Sequence, residues 1–245
     1  MQCPGQDSRF WGSDAIFDME CPQCGEEVEF FKDEPTRTCK QCGLKIVNPK
    51  MDFGCASYCQ FAEQCVGDLP PELLAQRKDL FKDRVAIEMK RYFQYDFKRI
   101  GHATRVARYA ERIVKQEKGD PAVILSAAYL HDIGIKEAER TYGSTEAHSH
   151  HEQEGPSIAR QIMGKLKAPE ELADEVCDII GHHHHPRPQE TVNFKVIYDA
   201  DLIANLEEKQ KETPVKRGDL STLIDRDFLT DSGRELARSV LLKAQ

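Results

Sequence analysis

Beyond residue 70 the apolar positions recur at helical spacing. Over 72–117 one series runs Leu73, Leu74, Leu80, Phe81, Val85, Ile87, Met89 and Phe93, and a second runs Ile100, Ala103, Val106, Ala107, Ala110, Ile113 and Val114. This recurrence predicts two amphipathic helices with a hinge near Tyr95-Asp96. Gly119-Asp120-Pro121 closes the second and opens a third, with Asp120 as N-cap and Pro121 as first helical residue. Residues 122–130 are small or apolar almost without a break, which predicts a helix buried on all sides. A polar loop is expected over 137–150, with Gly143-Ser144-Thr145 at its tip. Helical spacing resumes at His151 and continues through Ile158, Ala159, Ile162, Met163 and Leu166. It starts again at Pro169, with Leu172, Val176, Ile179 and Ile180 inward, then over 194–206, and last over 232–242. No strand pattern appears after Pro70. This part of the chain therefore predicts an all-α bundle of about six to eight helices.

The first part reads differently. Residues 26–31 (E-E-V-E-F-F) have a strand pattern, 33–35 a turn, and 44–47 the answering strand of a β-hairpin. Cys21-Pro-Gln-Cys24-Gly and Cys39-Lys-Gln-Cys42-Gly are two similar knuckles. In each, two thiols two residues apart are followed by a glycine that lets the backbone curl beneath a metal. Together Cys21, Cys24, Cys39 and Cys42 offer a tetrahedral thiolate site for zinc, closed and therefore structural. The arrangement resembles a zinc ribbon. A module this small has little core, so the metal is expected to supply its folding free energy. The break comes at Gly67-Asp68-Leu69-Pro70-Pro71, since paired prolines resist helix. The expected organisation is a cysteine-rich module over 1–68 and a helical domain over 69–245.

Charge and cysteine content sharpen that division. The 245-residue chain has a net charge of −8 and nine cysteines, of which only Cys177 lies beyond Cys65. Residues 1–75 hold 6 Lys and Arg against 13 Asp and Glu, and the remainder 28 against 29. So acidic a module is not expected to bind a nucleic-acid backbone. Cys55, Cys59 and Cys65, with Cys3 as the fourth, read equally as a second centre (zinc or an iron–sulfur cluster) and as reduced thiols packed as small apolar side chains. The N-terminus lacks the basic and apolar segments of a secretory signal. No apolar run approaches the ~20 residues of a membrane span. A cytoplasmic protein with no membrane partner is expected.

The candidate chemistry lies where periodicity predicts core yet the residues are polar: His102, His131, Asp132, His151, His182 or His183, and Asp201. Buried imidazoles and carboxylates are costly unless paired or ligated. Several helices each turning one inward suggest a shared cation, and the mixed donors suit manganese, iron, cobalt, nickel or zinc. Asp199 lies about 200° from Asp201 around a helix, so both cannot face one metal. Periodicity does not choose between them, nor between His182 and His183. His184 and His185, just before Pro186, are expected to be exposed. The Lys- and Arg-rich stretch over 77–115 is expected to be a solvated helix face.

The order His102, His131-Asp132, Asp201, with the segments L-H-D-I-G, H-E-Q-E-G-P, I-I-G-H-H and D-A-D-L-I, resembles the HD-domain metal-dependent phosphohydrolases over about 97–207. The resemblance implies an all-α HD-type bundle holding one or two divalent ions. His102, His131, Asp132 and Asp201 would bind the first, with Asp132 catalytic and bridging. His151 and one or both of His182 and His183 would hold the second. The reaction implied is hydrolysis of a small phosphorylated substrate, a nucleotide among the candidates. Where many members have lysine directly after H-D-I-G, this chain has Ile135 before Lys136. Two other readings stand beside this one. One is a non-catalytic metal-bearing scaffold whose ribbon docks a protein partner, and the other is a di-iron oxygenase on the same fold.

Overall fold

The computed structural model describes residues 15–31, 34, 36–49 and 78–242. Cys3, Cys55, Cys59, Cys65 and the expected break at Pro70-Pro71 lie outside them. The chain divides into two compact units between Arg84 and Val85.

In the first unit, strands β1 (Ile16–Glu20) and β2 (Glu27–Phe31) pair antiparallel, as do β3 (Thr36–Thr38) and β4 (Lys45–Val47). The single expected hairpin is thus two. The strand at the end of the module answers Thr36–Thr38 rather than β2. The sequence hid β3 because it is three residues long, and β1 because its I-F-D-M-E alternation leaves neither face fully buried. Along β2 the alternation is clear: Val28 and Phe30 point inward between Glu27 and Glu29. Phe30 stacks on Phe17 with ring centroids 5.7 Å apart, and Val28, Ile46, Cys21 and Cys39 complete a small core. The Asn48 amide ties the hairpins together by donating to the carbonyls of Phe31 (3.0 Å) and Glu34 (2.9 Å).

The second unit is helical: α1 (Lys78–Phe93, crossing the division), α2 (Phe97–Val114), α3 (Pro121–Leu130), α4 (Ile135–Tyr142), α5 (Ala147–Lys165), α6 (Glu170–Ile180), α7 (Val192–Glu212), α8 (Arg217–Asp227) and α9 (Asp231–Leu241). Helix α3 is the centre, packed against α2, α6 and α7. Every residue from Val123 to Leu130 is buried, as its apolar run requires, and Asp120 caps it by accepting from the Ala122 amide. Two expectations fail here. Residues 137–142 form the end of α4 instead of a loop; Ala138 is buried, but the charges of I-K-E-A-E-R-T-Y disguised the helical spacing of Ile135, Ala138 and Tyr142. Helix α5 begins at Ala147 rather than His151, which leaves Pro156 inside it. Helix α8, anchored by Leu220 and Ile224, had no sequence reading at all.

One contact governs how α5 meets the end of α3. A β-carbon on Gly134 would fall 2.2 Å from the His151 carbonyl oxygen and 2.4 Å from the Gly155 nitrogen. Only glycine lets these backbones approach so closely, and the approach carries His151 to Asp132. At the far side, Asp199 is buried and accepts from the amides of Leu229 and Thr230 (2.8 Å each) and the Thr230 hydroxyl (2.7 Å). Thr230 in turn caps α9. Asp199 thus serves the packing of α9, and its neighbour Asp201 is left for the interior site.

Candidate metal centre

Two histidines stand at helix ends in the same way. His131 follows the last residue of α3, and His183 follows the end of α6. Each lies 2.9 Å through its Nδ1 from a carbonyl three residues back, Ala128 and Ile180 respectively. A helix end leaves such carbonyls without intrahelical donors. Donation from Nδ1 satisfies them, so each Nε2 points inward and, once deprotonated, offers its lone pair there. The two rings lie edge to face, with centroids 5.2 Å apart.

Asp132 sits between two sets of donors. Its Oδ2 is 3.4 Å from His131 Nε2 and 3.8 Å from His102 Nε2, while its Oδ1 is 3.4 Å from His151 Nε2 and 3.8 Å from His183 Nε2. Asp201 Oδ1 closes the first set, 3.1 Å from His102 Nε2 and 3.5 Å from His131 Nε2. Its other oxygen accepts from Asn205 (3.0 Å) and lies 3.7 Å from His184 Nδ1. The candidate donor groups are therefore His102, His131 and Asp132 on one side, with Asp201, and Asp132, His151, His183 and His184 on the other.

These residues fit divalent cations. An ion about 2.0–2.2 Å from each donor spaces neighbouring donors about 3–3.6 Å apart, close to the distances found. His131 Nε2 and Asp132 Oδ1 are buried without a hydrogen-bond partner, a costly condition that a shared cation removes. The electrostatics agree. Burial alone would lower the His131 pKa, but the Asp132 and Asp201 carboxylates push it up to about 9. Burial would raise Asp132 and Asp201, yet the imidazoles around them hold both below the usual carboxylate range. Burial and the neighbouring His183 push His184 down to about 4, which keeps it neutral.

Two placements correct the sequence reading. His182 turns away: its Nδ1 lies 2.6 Å from the Asp178 carbonyl, its Nε2 lies 3.1 Å from Glu190, and its ring stacks on Phe194. His184, expected to be exposed, is half-buried and faces the second set. The cause is the turn after α6, which breaks helical register beyond Ile180, so spacing from Ile179 could not separate His182 from His183 and did not reach His184. Glu152 holds that turn, accepting from the His184 amide and lying 2.7 Å from His185 Nδ1. Neither Glu152 nor Asn205 was singled out from sequence, although Asn205 is one helical turn from Asp201. Lys136, displaced by the extra Ile135, donates to the Tyr92 carbonyl (3.1 Å) and lies over the Tyr92 ring.

The knuckle cysteines also converge. The four sulfurs of Cys21, Cys24, Cys39 and Cys42 lie within 4.8 Å of one another, with Cys21–Cys42 and Cys24–Cys39 each 3.6 Å apart. Tetrahedral zinc with Zn–S of about 2.3 Å places sulfurs about 3.8 Å apart. The knuckles repeat one geometry: the Cys21 and Cys39 amides donate to Glu26 and Leu44 (2.8 Å each), and Gly25 and Gly43 both take φ +75°. Burial raises the Cys21 thiol, but the amides of Gln23 and Cys24 outweigh it and bring it down to about 7. The Glu26 amide lowers Cys24, yet burial and the surrounding thiols push it up to about 12. One thiolate forms readily and makes the next expensive; a bound cation removes the conflict.

Residues 99–206 match the family model of the HD domain. No curated protein matches the chain. A crystal structure described as a predicted HD superfamily hydrolase from an uncultured Thermotogales bacterium is 21% identical, covering 70% of this chain and 91% of that one, with a TM-score of 0.45. The segment similar to the HD domain contains His102, His131, Asp132, His151, His183, His184 and Asp201. The converging donors are candidate metal-binding groups. Among the described residues no helix is long and apolar enough to cross a membrane.

Proposed function

We propose that the protein is a metal-dependent phosphohydrolase acting on a small phosphate ester, with nucleotides among the candidate substrates. The observation that carries this reading is the division of Asp132, one oxygen toward His102 and His131 and the other toward His151 and His183. A carboxylate so placed suits two ions side by side. Such ions supply an activated water and positive charge for phosphoryl oxygens. The chain's own residues do the rest. Asp132 and Asp201 concentrate negative charge where cations are needed, and the Nδ1 bonds of His131 and His183 hold two imidazoles in the ligating tautomer.

A cavity of about 280 Å³ opens beside His102 and Asp132, with Asp96, Lys98, Arg99, Ile135, Asn205 and Glu208 in its wall. Lys98 and Arg99 bring positive charge to its mouth, although Arg99 also pairs with Asp96 and Glu139. With Asp96, Asp132 and Glu208 also in the wall, a compact anion would rely on bound cations for most of its countercharge. In the ribbon, zinc on Cys21, Cys24, Cys39 and Cys42 fits a structural role, because four thiolates leave no open position.

The test is hydrolysis of a panel of phosphate esters by protein loaded with manganese, iron, cobalt, nickel or zinc in turn, with Asp132→Asn as control. Turnover that the substitution abolishes supports the reading. A metal-loaded but inactive protein favours the scaffold, and iron-dependent oxygen uptake without hydrolysis favours an oxygenase.

A further inference from the structure

Helices α2 and α7 are joined by a polar ladder with the metal donors at one end. His102, Arg105 and Tyr109 follow one face of α2; Asp201, Asn205 and Glu208 follow one face of α7, with Glu207 beside them. His102 reaches Asp201 through Nε2 (3.1 Å) and Glu208 through Nδ1 (3.3 Å). Arg105 pairs with Glu208 and also with Glu207 (3.6 Å), and the Tyr109 hydroxyl donates to Glu207 (2.9 Å). His131 and His183 lean on backbone carbonyls, whereas His102 leans on a side-chain carboxylate.

We propose that Glu208 is the positioning residue for His102. Its carboxylate accepts the Nδ1 proton, fixes the tautomer with Nε2 toward Asp132 and Asp201, and makes the imidazole a stronger donor, while Arg105 holds the carboxylate in place. Such outer partners tune metal affinity by about 10–100-fold. Glu208 touches only the donor set containing His102, so it sets the affinity of that ion and not of the one near His151. The inference rests on the two-ion reading above.

The test is Mn²⁺ titration of metal-stripped full-length protein, followed by electron paramagnetic resonance. Manganese suits oxygen and imidazole donors and avoids the thiolates of the ribbon. Wild type is expected to take up two ions. Glu208→Ala should weaken one of the two affinities about 10–100-fold and leave the other within about twofold. Glu208→Gln, which keeps an acceptor without the charge, should fall between. Glu207→Gln cuts the same ladder without touching His102 and should bind as wild type. Equal weakening of both ions, no weakening, or an equal loss in Glu207→Gln would overturn the assignment of Glu208. Failure of wild type to bind a pair of ions would instead sink the two-ion reading itself.

Discussion

His131 and His183 meet edge to face, 5.2 Å between ring centroids, from the ends of two different helices. Each uses Nδ1 on a carbonyl of its own last turn and keeps Nε2 for the interior. They stand on opposite sides of Asp132 in chemical terms, one at each oxygen. A substitution at either should therefore act on a different ion. His131→Ala should empty the set containing His102, and His183→Ala the set containing His151, each with a loss beyond the about 10–100-fold typical of an outer partner. Asp132→Ala should empty both. Manganese stoichiometry on the purified variants reads this directly, and retention of an ion by Asp132→Ala would contradict the bridging role.

Neighbours in the four-histidine turn should behave oppositely. His182→Ala removes contacts to Asp178, Glu190 and Phe194 but no inward donor. It should lower stability by about 1–3 kcal/mol and leave metal content intact. His183→Ala should lose metal as well as stability, since it removes an inward donor together with the bond to the Ile180 carbonyl. Denaturant melts and metal analysis on the same preparations separate the two effects.

Metal uptake should depend on pH. In metal-free protein His131 stays protonated up to about 9, against 6.5 for an ordinary imidazole. An incoming ion must displace that proton. At pH 7 binding should therefore release at least one proton, since His102 in the same set, against its burial, is also raised by Asp201 and Asp132. Affinity should rise about tenfold per pH unit toward 9 and level off above it. Calorimetry in buffers of different ionisation enthalpy measures the release. The metal-free fold should respond in the opposite direction. The raised pKa contributes stability that is complete below about 6.5 and lost as pH climbs through about 9.

Gly134→Ala should be destabilising out of proportion to its size. The added carbon meets backbone atoms of His151 and Gly155, which cannot swing aside as a flexible side chain would. The expected cost is about 1–3 kcal/mol or more, accompanied by weaker binding of the ion near His151, because α5 must back away. A variant as stable as wild type with unchanged metal affinity would show that the close approach is not required.

Much of this site was legible before any coordinates. Asp120-Pro121 and the apolar run after it announced α3, and α3 delivers His131-Asp132. What escaped notice had local causes. The charged residues of α4 masked a helix whose buried side is little more than Ala138. The turn beyond Ile180 changed register, so His183 and His184 face the site while His182, equally open to helical extrapolation, turns away. The hairpin built on Thr36–Thr38 was too short for alternation to register, which left its partner strand assigned to β2.

The twin knuckles have a consequence for biogenesis. Each hairpin carries half of a coordination shell, and neither half can close around an ion unaided. As the polypeptide emerges from the ribosome, Cys21 and Cys24 appear first and must wait for Cys39 and Cys42. Metal capture would then be a single late event that joins both hairpins, and a chain interrupted between the knuckles would hold only half of the coordination shell.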